Sequence, residues 1–582
     1  MADPLWRMFG LYRRHPWMLA GTAALTAVAN GSMPLIQWLV GQGLDAALAA
    51  GPRAVDAVAP WVVGLLALSV ARSAVAWAAT VAAMALGQRI LSAMRGDLFV
   101  RIQALDLGFH RRHGVGELVA RTTRDSDLVR DALAGGARTL VEVALVSAGA
   151  IALLWWYHWL LALVPTLLLV AACVWLARHA AAIQDLNRRT DLAYDRMTQD
   201  LEEGVRGVRV IKAFALEPAR GLRFARHAGV LARRQLATAI AGAVRLPPPQ
   251  MLVALSQVWV LACGAWLAAR GEIGVGALTA ASMVVLMVTF RVENIGRVLQ
   301  VFAAARASAV RLVEVLDAVP AVARGGLTAL PPGPLGAELA GIRVAAGPVP
   351  ILDGLDLTLA PGEVVAVVGR TGCGKSTLAA LLPRLVDPQA GTVRIGGVPA
   401  RDLDLDALRR AVQLVPQEAF LFSDSLAANL RLARMEAGDV DIARALVDAC
   451  ADGVVADLPD GLAAKVGERG VSLSGGQRQR LCLARALVAE PRILVADDAT
   501  SALDAITERR VLANLRRRGC TTLLVASRLS TVLAADRVVM LAGGRIVASG
   551  THADLTAGSA DYRELMGLGA GVADLPPTGG AR

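Results

Sequence analysis

Cysteine is sparse in this chain and follows no pattern. The six (Cys173, Cys263, Cys373, Cys450, Cys482, Cys520) include no C-x-x-C pair and no metal-ligand spacing, which argues against a disulfide framework or a zinc site. No cleavable signal peptide is evident. The N-terminus instead reads Pro4-Leu5-Trp6-Arg7-Met8-Phe9, then Arg13-Arg14-His15, an amphipathic basic start expected to lie on the inner membrane face. Aromatic residues are few while Ala, Gly, Arg and Val are abundant, the usage of a GC-rich bacterium. The two long polar stretches, 86–132 and 182–245, almost lack Pro or Gly clusters. They have helical periodicity and read as helices prolonged beyond the membrane, not as disordered loops.

What is present is apolar surface. The chain has 582 residues, 55% of them hydrophobic, which predicts at least two domains and directs attention to membrane spans. A span needs about 20 apolar residues. Such stretches occur near 17–44, 58–86, 133–156, 159–182, 248–269 and 274–292, which makes six. The net charge of +11 sits largely in the two long connections, rich in arginine, while the other three carry only Arg53 and Arg270 as basic residues. That asymmetry places both termini and both long loops in the cytoplasm and leaves no reason to expect a nucleic-acid partner. The turn Trp155-Trp156-Tyr157-His158-Trp159 then falls on the outer side as an interfacial belt. Breaks near 109–114 and 204–210 interrupt the long loops.

Beyond residue 310 the pattern changes. A Pro/Gly-rich linker, 319–336, leads to short apolar strands alternating with helices (Val364–Val368, Arg394–Ile395, Val412–Val415, Ile493–Ala496, Thr522–Ala526, Arg537–Leu541). This predicts an α/β domain with a mostly parallel sheet. Residues 1–318 are read as the transmembrane domain, 337–566 as the α/β domain and 567–582 as a disordered tail.

The first of these strands runs into Gly369-Arg370-Thr371-Gly372-Cys373-Gly374-Lys375-Ser376-Thr377 and then an apolar helix, a P-loop in its strand–loop–helix context. Glycines let backbone amides face phosphate oxygens, and the helix N-terminus adds partial positive charge. Lys375 suits the β- and γ-phosphates of ATP, and Ser376 suits Mg²⁺. A second apolar strand ends in Asp497, which suits Mg²⁺ held through water.

With these pieces the chain resembles the exporters of the ABC transporter family over roughly residues 5–566. Leu473-Ser474-Gly475-Gly476-Gln477-Arg478-Gln479-Arg480 resembles the signature motif. Gln417 resembles the Q-loop glutamine, an expected Mg²⁺ ligand. Gly467-Glu468-Arg469-Gly470 resembles the X-loop, and Ser501-Ala502-Leu503-Asp504 the D-loop. Gly116–Arg121 and Arg209–Phe214 resemble stretches of the exporter membrane half. The resemblance implies an all-α six-helix membrane domain followed by a P-loop ATPase domain. It also implies two halves meeting head to tail, each ATP lying between one P-loop and the other half's signature motif.

Three positions depart from the family pattern, all in one half-site. Asp498 stands where a catalytic Glu is usual, one methylene short. A misplacement of about 1 Å can cost about a hundredfold in rate. Ser527 stands where a switch histidine is usual, and Ser cannot carry imidazolium charge. The adenine-stacking position falls near Ala345-Ala346, with no aromatic. Ser474 to Gln477, Glu468 and Asp504, which serve the opposite site, are intact. The expectation is a bacterial inner-membrane heterodimer whose own P-loop site hydrolyses ATP weakly or not at all, with a homologous half as partner. A homodimeric exporter, an importer of a siderophore-like or lipid cargo, and a regulatory or gated-channel subunit are the alternatives.

In the membrane half, Arg72, Arg291 and Glu293 are candidates to line a cargo cavity. Arg138 and Glu142 share a helix face and are expected to pair. Membrane lipids are expected partners, and no residue names the cargo.

Overall fold

The computed structural model describes residues 3–51, 54–245, 247–467 and 473–568. The chain forms two compact units, Met1–Ala104 with His113–Ala318, and Leu105–Arg112 with Val319–Arg582.

The first unit is helical. A short α1 (Pro4–Phe9) leads through a tight helical turn, Gly10–Arg14, into α2 (Pro16–Gly31) and α3 (Met33–Ala50). Then come α4 (Ala54–Ala104), α5 (Leu107–Ala120, of which 107–112 belongs to the second unit), α6 (Ser126–Arg130) and α7 (Ala137–Tyr157). After α8 (Trp159–Arg206), α9 (Val208–Ala213) and α10 (Glu217–Arg245), α11 (Pro247–Ala269) and α12 (Val275–Asp317) complete it. Among the described residues, 6 helical stretches are long and apolar enough to cross a membrane. The first combines α2 and α3, because Ser32 between them keeps helical dihedrals. α4 shows why a lipid solvent is needed: Val62, Val63, Leu66, Val70 and Trp77 all lie exposed on it.

The long loops are helical, and their breaks have local causes. In α5 the break is Gly114, at φ 70°, ψ 157°. α8 stops at Gly207; α9 makes under two turns, and Ala215 at φ 49° turns the chain into α10. Between α5 and α7 the helix widens into π turns at Arg121–Asp125 and Asp131–Gly136. The first of these aims Asp125 at α12, where it accepts from Arg311 Nε at 2.8 Å and Ser308 Oγ at 3.0 Å. Arg121, also nearly buried, pairs with Glu117 at 2.5 Å and Glu314 at 2.9 Å. At the other end of α12, Asp45 of α3 accepts from the Gly276 amide at 2.7 Å. There a Cβ on Gly276 would lie 1.9 Å from the Gly41 carbonyl oxygen, so only glycine permits this approach. At the turn between α7 and α8, Trp155, Trp156 and Trp159 are exposed, and His158 Nδ1 caps α8 by accepting from Leu160 N.

The second unit contains two sheets. β1 (Ala337–Ala346), β2 (Val349–Leu359), β4 (Ala390–Ile395) and β5 (Val398–Pro399) form an antiparallel sheet in the order β2-β1-β4-β5. β3 (Val364–Val368), β6 (Val412–Val415), β7 (Ile493–Asp497), β8 (Thr521–Val525), β9 (Arg537–Ala542) and β10 (Arg545–Gly550) form the other, in the order β10-β9-β3-β8-β7-β6. Only its edge pair β9–β10 is antiparallel. β3, β7 and β8 are buried along their whole length, which explains their unbroken apolar runs. The antiparallel sheet is a difference from the sequence-based expectation of one mostly parallel sheet. The expected linker, 319–336, carries neither helix nor strand beyond a single bridge between Leu327 and Leu403. Most of the expected tail lies outside the described residues.

Candidate functional site: the P-loop edge of the parallel sheet

Parallel pairing decides which residues meet. Val367 of β3 is level with Val525 of β8, Val525 with Asp497 of β7, and Ala496 with Val415 of β6. The four strands therefore end together, and the loops that follow them, bearing Gly369, Ser527, Asp498 and Gln417, emerge along one edge. In open α/β sheets this carboxyl edge is where ligands bind.

The P-loop leaves β3 and enters the helix Lys375–Leu381. Gly372 and Gly374 sit at φ 85° and 106°, a region that excludes most side chains. Gly369 is closed by packing as well, since a Cβ there would lie 2.3 Å from the Leu541 carbonyl oxygen. Lys375 Nζ donates to the carbonyls of Gly369 at 2.6 Å and Arg370 at 3.0 Å, which holds the amine over its own loop. Thr371 and Cys373 lie in the same loop, and Thr377 opens the helix beside Ser376. The Arg370 side chain points away and pairs with Glu564 at 2.8 Å. Asp497, buried at the tip of β7, is hydrogen-bonded by Ser376. Burial pushes its carboxyl up and Asp498 adds to that, while Ser376 and Lys375 pull the other way. Two glycine-shaped cradle positions, a lysine, a serine and an acid are a donor set that fits a nucleotide triphosphate with Mg²⁺.

Asp498 follows at φ 50°, a left-handed conformation that Asp tolerates better than most residues. Its Oδ1 accepts from Ser527 Oγ at 2.8 Å. Two of the three positions that depart from the expected pattern thus satisfy one another. Ala345, near where the resemblance implies adenine stacking, is bracketed by Gln389, which accepts from its amide at 2.7 Å and donates to its carbonyl at 3.1 Å. Gln417 is exposed in the loop after β6.

Ser474 caps the helix Gly475–Val488: it accepts from Gln477 N at 3.2 Å, and Gln477 Oε1 accepts from Ser474 N at 2.8 Å. This reciprocal cap fixes the signature turn and leaves Gly475 and Gly476 as the first helical amides. Asp504 caps Ala505–Arg518, and bonds from the Thr507 amide and hydroxyl, then from Ile506, hold its carboxyl below the usual range. Glu468 lies outside the described residues.

Glu508 and Arg528, not singled out from sequence, hold this region together. Glu508 is 1% exposed. It accepts from Thr500 at 2.9 Å, Ser530 at 2.6 Å and Thr531 at 2.7 Å. Arg528 lies 3.6 Å from the same carboxylate and donates to the Leu503 carbonyl at 2.7 Å and to that of Ser501. The D-loop is thereby tied to the segment that carries Ser527. No motif marks either residue.

In the membrane unit Arg138 Nε donates to Glu142 at 2.6 Å, the pairing expected from their spacing. Arg291 lies 3.7 Å from the other oxygen of Glu142, so α7 supplies its carboxylate. The Glu293 side chain lies outside the described residues. A cavity of about 720 Å³ is lined by Gln88, Arg130, Asp131, Arg138, Thr139 and Glu142, among others. Arg72 and Arg291 are not among its lining residues.

The ABC transporter transmembrane region family matches residues 19–292, and the ABC transporter family matches 352–501. The chain is 33% identical over 575 residues to an ATP-dependent lipid A-core flippase of Thiobacillus denitrificans, covering 97% of this chain and 96% of that protein. It is 34% identical over 577 residues to a multidrug efflux ATP-binding/permease protein of Mycobacterium tuberculosis, covering 98% of this chain but 48% of that one. The solved structure of a bacterial Atm1-family ABC exporter with ATP bound superposes with a TM-score of 0.85 at 25% identity, over 96% of this chain and 100% of that one.

Proposed function

The chain belongs to the ABC transporter family, as an exporter half with fused transmembrane and ATP-binding domains, and from that premise we propose that it works in an asymmetric pair with a different, homologous half. Its own P-loop site binds ATP and Mg²⁺ through Lys375, Ser376 and Asp497 but turns over slowly. Its signature turn, Ser474 to Gln477, completes the hydrolytic site on the partner. The proposed place is a bacterial inner membrane, with the ATPase domain in the cytoplasm.

The observation that carries this reading is the bond from Ser527 to Asp498. A general base must reach the attacking water, and a switch histidine must reach the γ-phosphate. Here the shorter acid is engaged by a hydroxyl that has no imidazolium charge to offer. The signature cap and Asp504, which serve the opposite site, keep ordered geometry. The Mycobacterium relative is about twice this chain's length, the size of two such halves joined, which agrees with pairing between unlike halves. The relatives' names, lipid A-core flippase and multidrug efflux, support an amphiphile as the cargo class.

ATPase activity of the purified chain, alone and co-expressed with a homologous half, tests the proposal. Activity is expected only in the pair. It should vanish when the partner's catalytic Glu is changed and fall only modestly with Asp498→Ala. Comparable activity from this chain alone would return the reading to a homodimeric exporter.

A further inference from the structure

The P-loop holds a nucleotide by its phosphates, so the groups around the base decide which nucleotide is held. The hairpin of β1 and β2 stands beside the loop. A Cβ on Gly374 would lie 3.0 Å from the Ile351 carbonyl oxygen and 3.4 Å from its Cγ2. At the end of this hairpin Ala345 pairs with Pro350 and Ala346 with Val349, around Gly347 and Pro348. Every side chain there is small or aliphatic, and Val349 is 62% exposed.

The rings that the second unit does contain are held elsewhere. Residues 319–582 carry Phe420, Phe422 and Tyr562 and no other Phe, Tyr or Trp. Tyr562 is fully buried among Val538, Met540 and Leu555, with its hydroxyl 2.8 Å from His552 Nδ1. Phe420 and Phe422 pack edge to face, 5.1 Å between ring centroids. The Phe420 carbonyl accepts from Arg485 Nη1 at 3.1 Å, which ties that pair to the helix Gly475–Val488. Phe109, in the segment 105–112, is buried.

Flat polar groups near the hairpin are engaged as well. Arg343 and Arg545 share Asp353, at 3.3 Å and 2.5 Å, and Arg370 is turned to Glu564. Gln389 bonds the Ala345 backbone with both ends of its amide. Contacts from backbone amides, Lys375 and Mg²⁺ are the same for every nucleoside triphosphate. Stacking on an aromatic ring is the affinity that a base adds, and this hairpin offers only alkyl groups.

We infer that this chain's own P-loop site is a general nucleoside triphosphate site, which takes the Mg²⁺ complexes of purine and pyrimidine triphosphates alike and does not select adenine. The inference rests on the reading above that this P-loop binds nucleotide, and it names the ligand class of that site. The slow site is then filled by the whole triphosphate pool of the cell, not by ATP alone.

Displacement of a fluorescent ribose-labelled ATP from the full chain, purified alone and kept cold to suppress turnover, tests this. The competitors are the Mg²⁺ complexes of ATP, GTP, CTP and UTP. Their dissociation constants are expected to agree within about threefold. Ala345→Tyr should tighten ATP about tenfold, the scale of one base stacked on a ring, and tighten CTP and UTP less. Wild-type protein that prefers ATP to CTP and UTP by about tenfold or more would overturn the inference and leave ATP binding at this site intact. Affinities left unchanged in both Ala345→Tyr and Ala346→Tyr would overturn the missing ring as the cause. Displacement by none of the four would overturn the nucleotide-binding reading itself, and this inference with it.

Discussion

Gly476→Asp in this chain is expected to lower the ATPase activity of the assembled pair by about a hundredfold or more, the scale of losing transition-state charge stabilisation. Gly476 is the second residue of the helix that Ser474 caps. A Cβ there would stand 2.8 Å from the Ala502 carbonyl oxygen, so the turn must shift. The new carboxylate would also set negative charge at a helix N-terminus proposed to face the partner's γ-phosphate. Asp498→Ala, in contrast, should cost the pair little, because it alters the slow site. ATPase rates of the co-purified pair check both variants, and nucleotide binding at this chain's own P-loop reports that the domain is folded. Equal losses from the two substitutions would remove the asymmetry from the proposal.

The second large effect is on stability. Glu508→Ala strips three hydroxyls and Arg528 of their common acceptor at a buried position. Removing one member of such a buried network costs about 3 kcal/mol or more. For a domain of this size that is a fall in Tm of about 6–12 °C. Glu508→Gln keeps one carbonyl acceptor and should fall between. The pH dependence has a definite sign. Burial alone would raise the Glu508 carboxyl, but bonds from Ser530, Thr531 and Thr500 and the charge of Arg528 outweigh it and hold it below its ordinary value. A depressed carboxyl stabilises fully above the unfolded value, about 4.3, and that stabilisation is lost as pH falls through the lower folded value. Calorimetry from pH 6 to 3 should show this acid-side loss in wild type and a shallower one in Glu508→Gln.

The spans and the P-loop were legible because each has a local signature: length with hydropathy in one case, a strand–loop–helix pattern in the other. The antiparallel sheet was not. β1 and β2 alternate buried and exposed positions weakly through Ala, Gly and Pro, and glycines at φ 61° and 70° (Gly341, Gly354) break their regularity. Asp498 and Ser527 could each be named as departures, but not as partners. They stand 29 residues apart and meet only because β7 and β8 are neighbours. Arg291 shows the same limit. It was read as a cargo-cavity candidate, whereas packing of α12 on α7 sets it 3.7 Å from the Glu142 carboxylate, a neighbour that spacing along α12 does not reveal.

The contact between α3 and α12 bears on leakage. A pump sits across a voltage worth about 2.3 kcal/mol per charge for each 100 mV, and any continuous file of water through it would dissipate that store. At Gly41 and Gly276 two backbones meet with no side chain between them, and Asp45 fills part of the remaining polar need by accepting from the Gly276 amide of α12. Such a joint has no room for water when shut. In the proposed orientation it lies at the outer end, where the glycine contact and the carboxylate–amide bond hold α3 against α12. The bond draws the two backbones together, and the tightness of that joint depends on glycine at both positions.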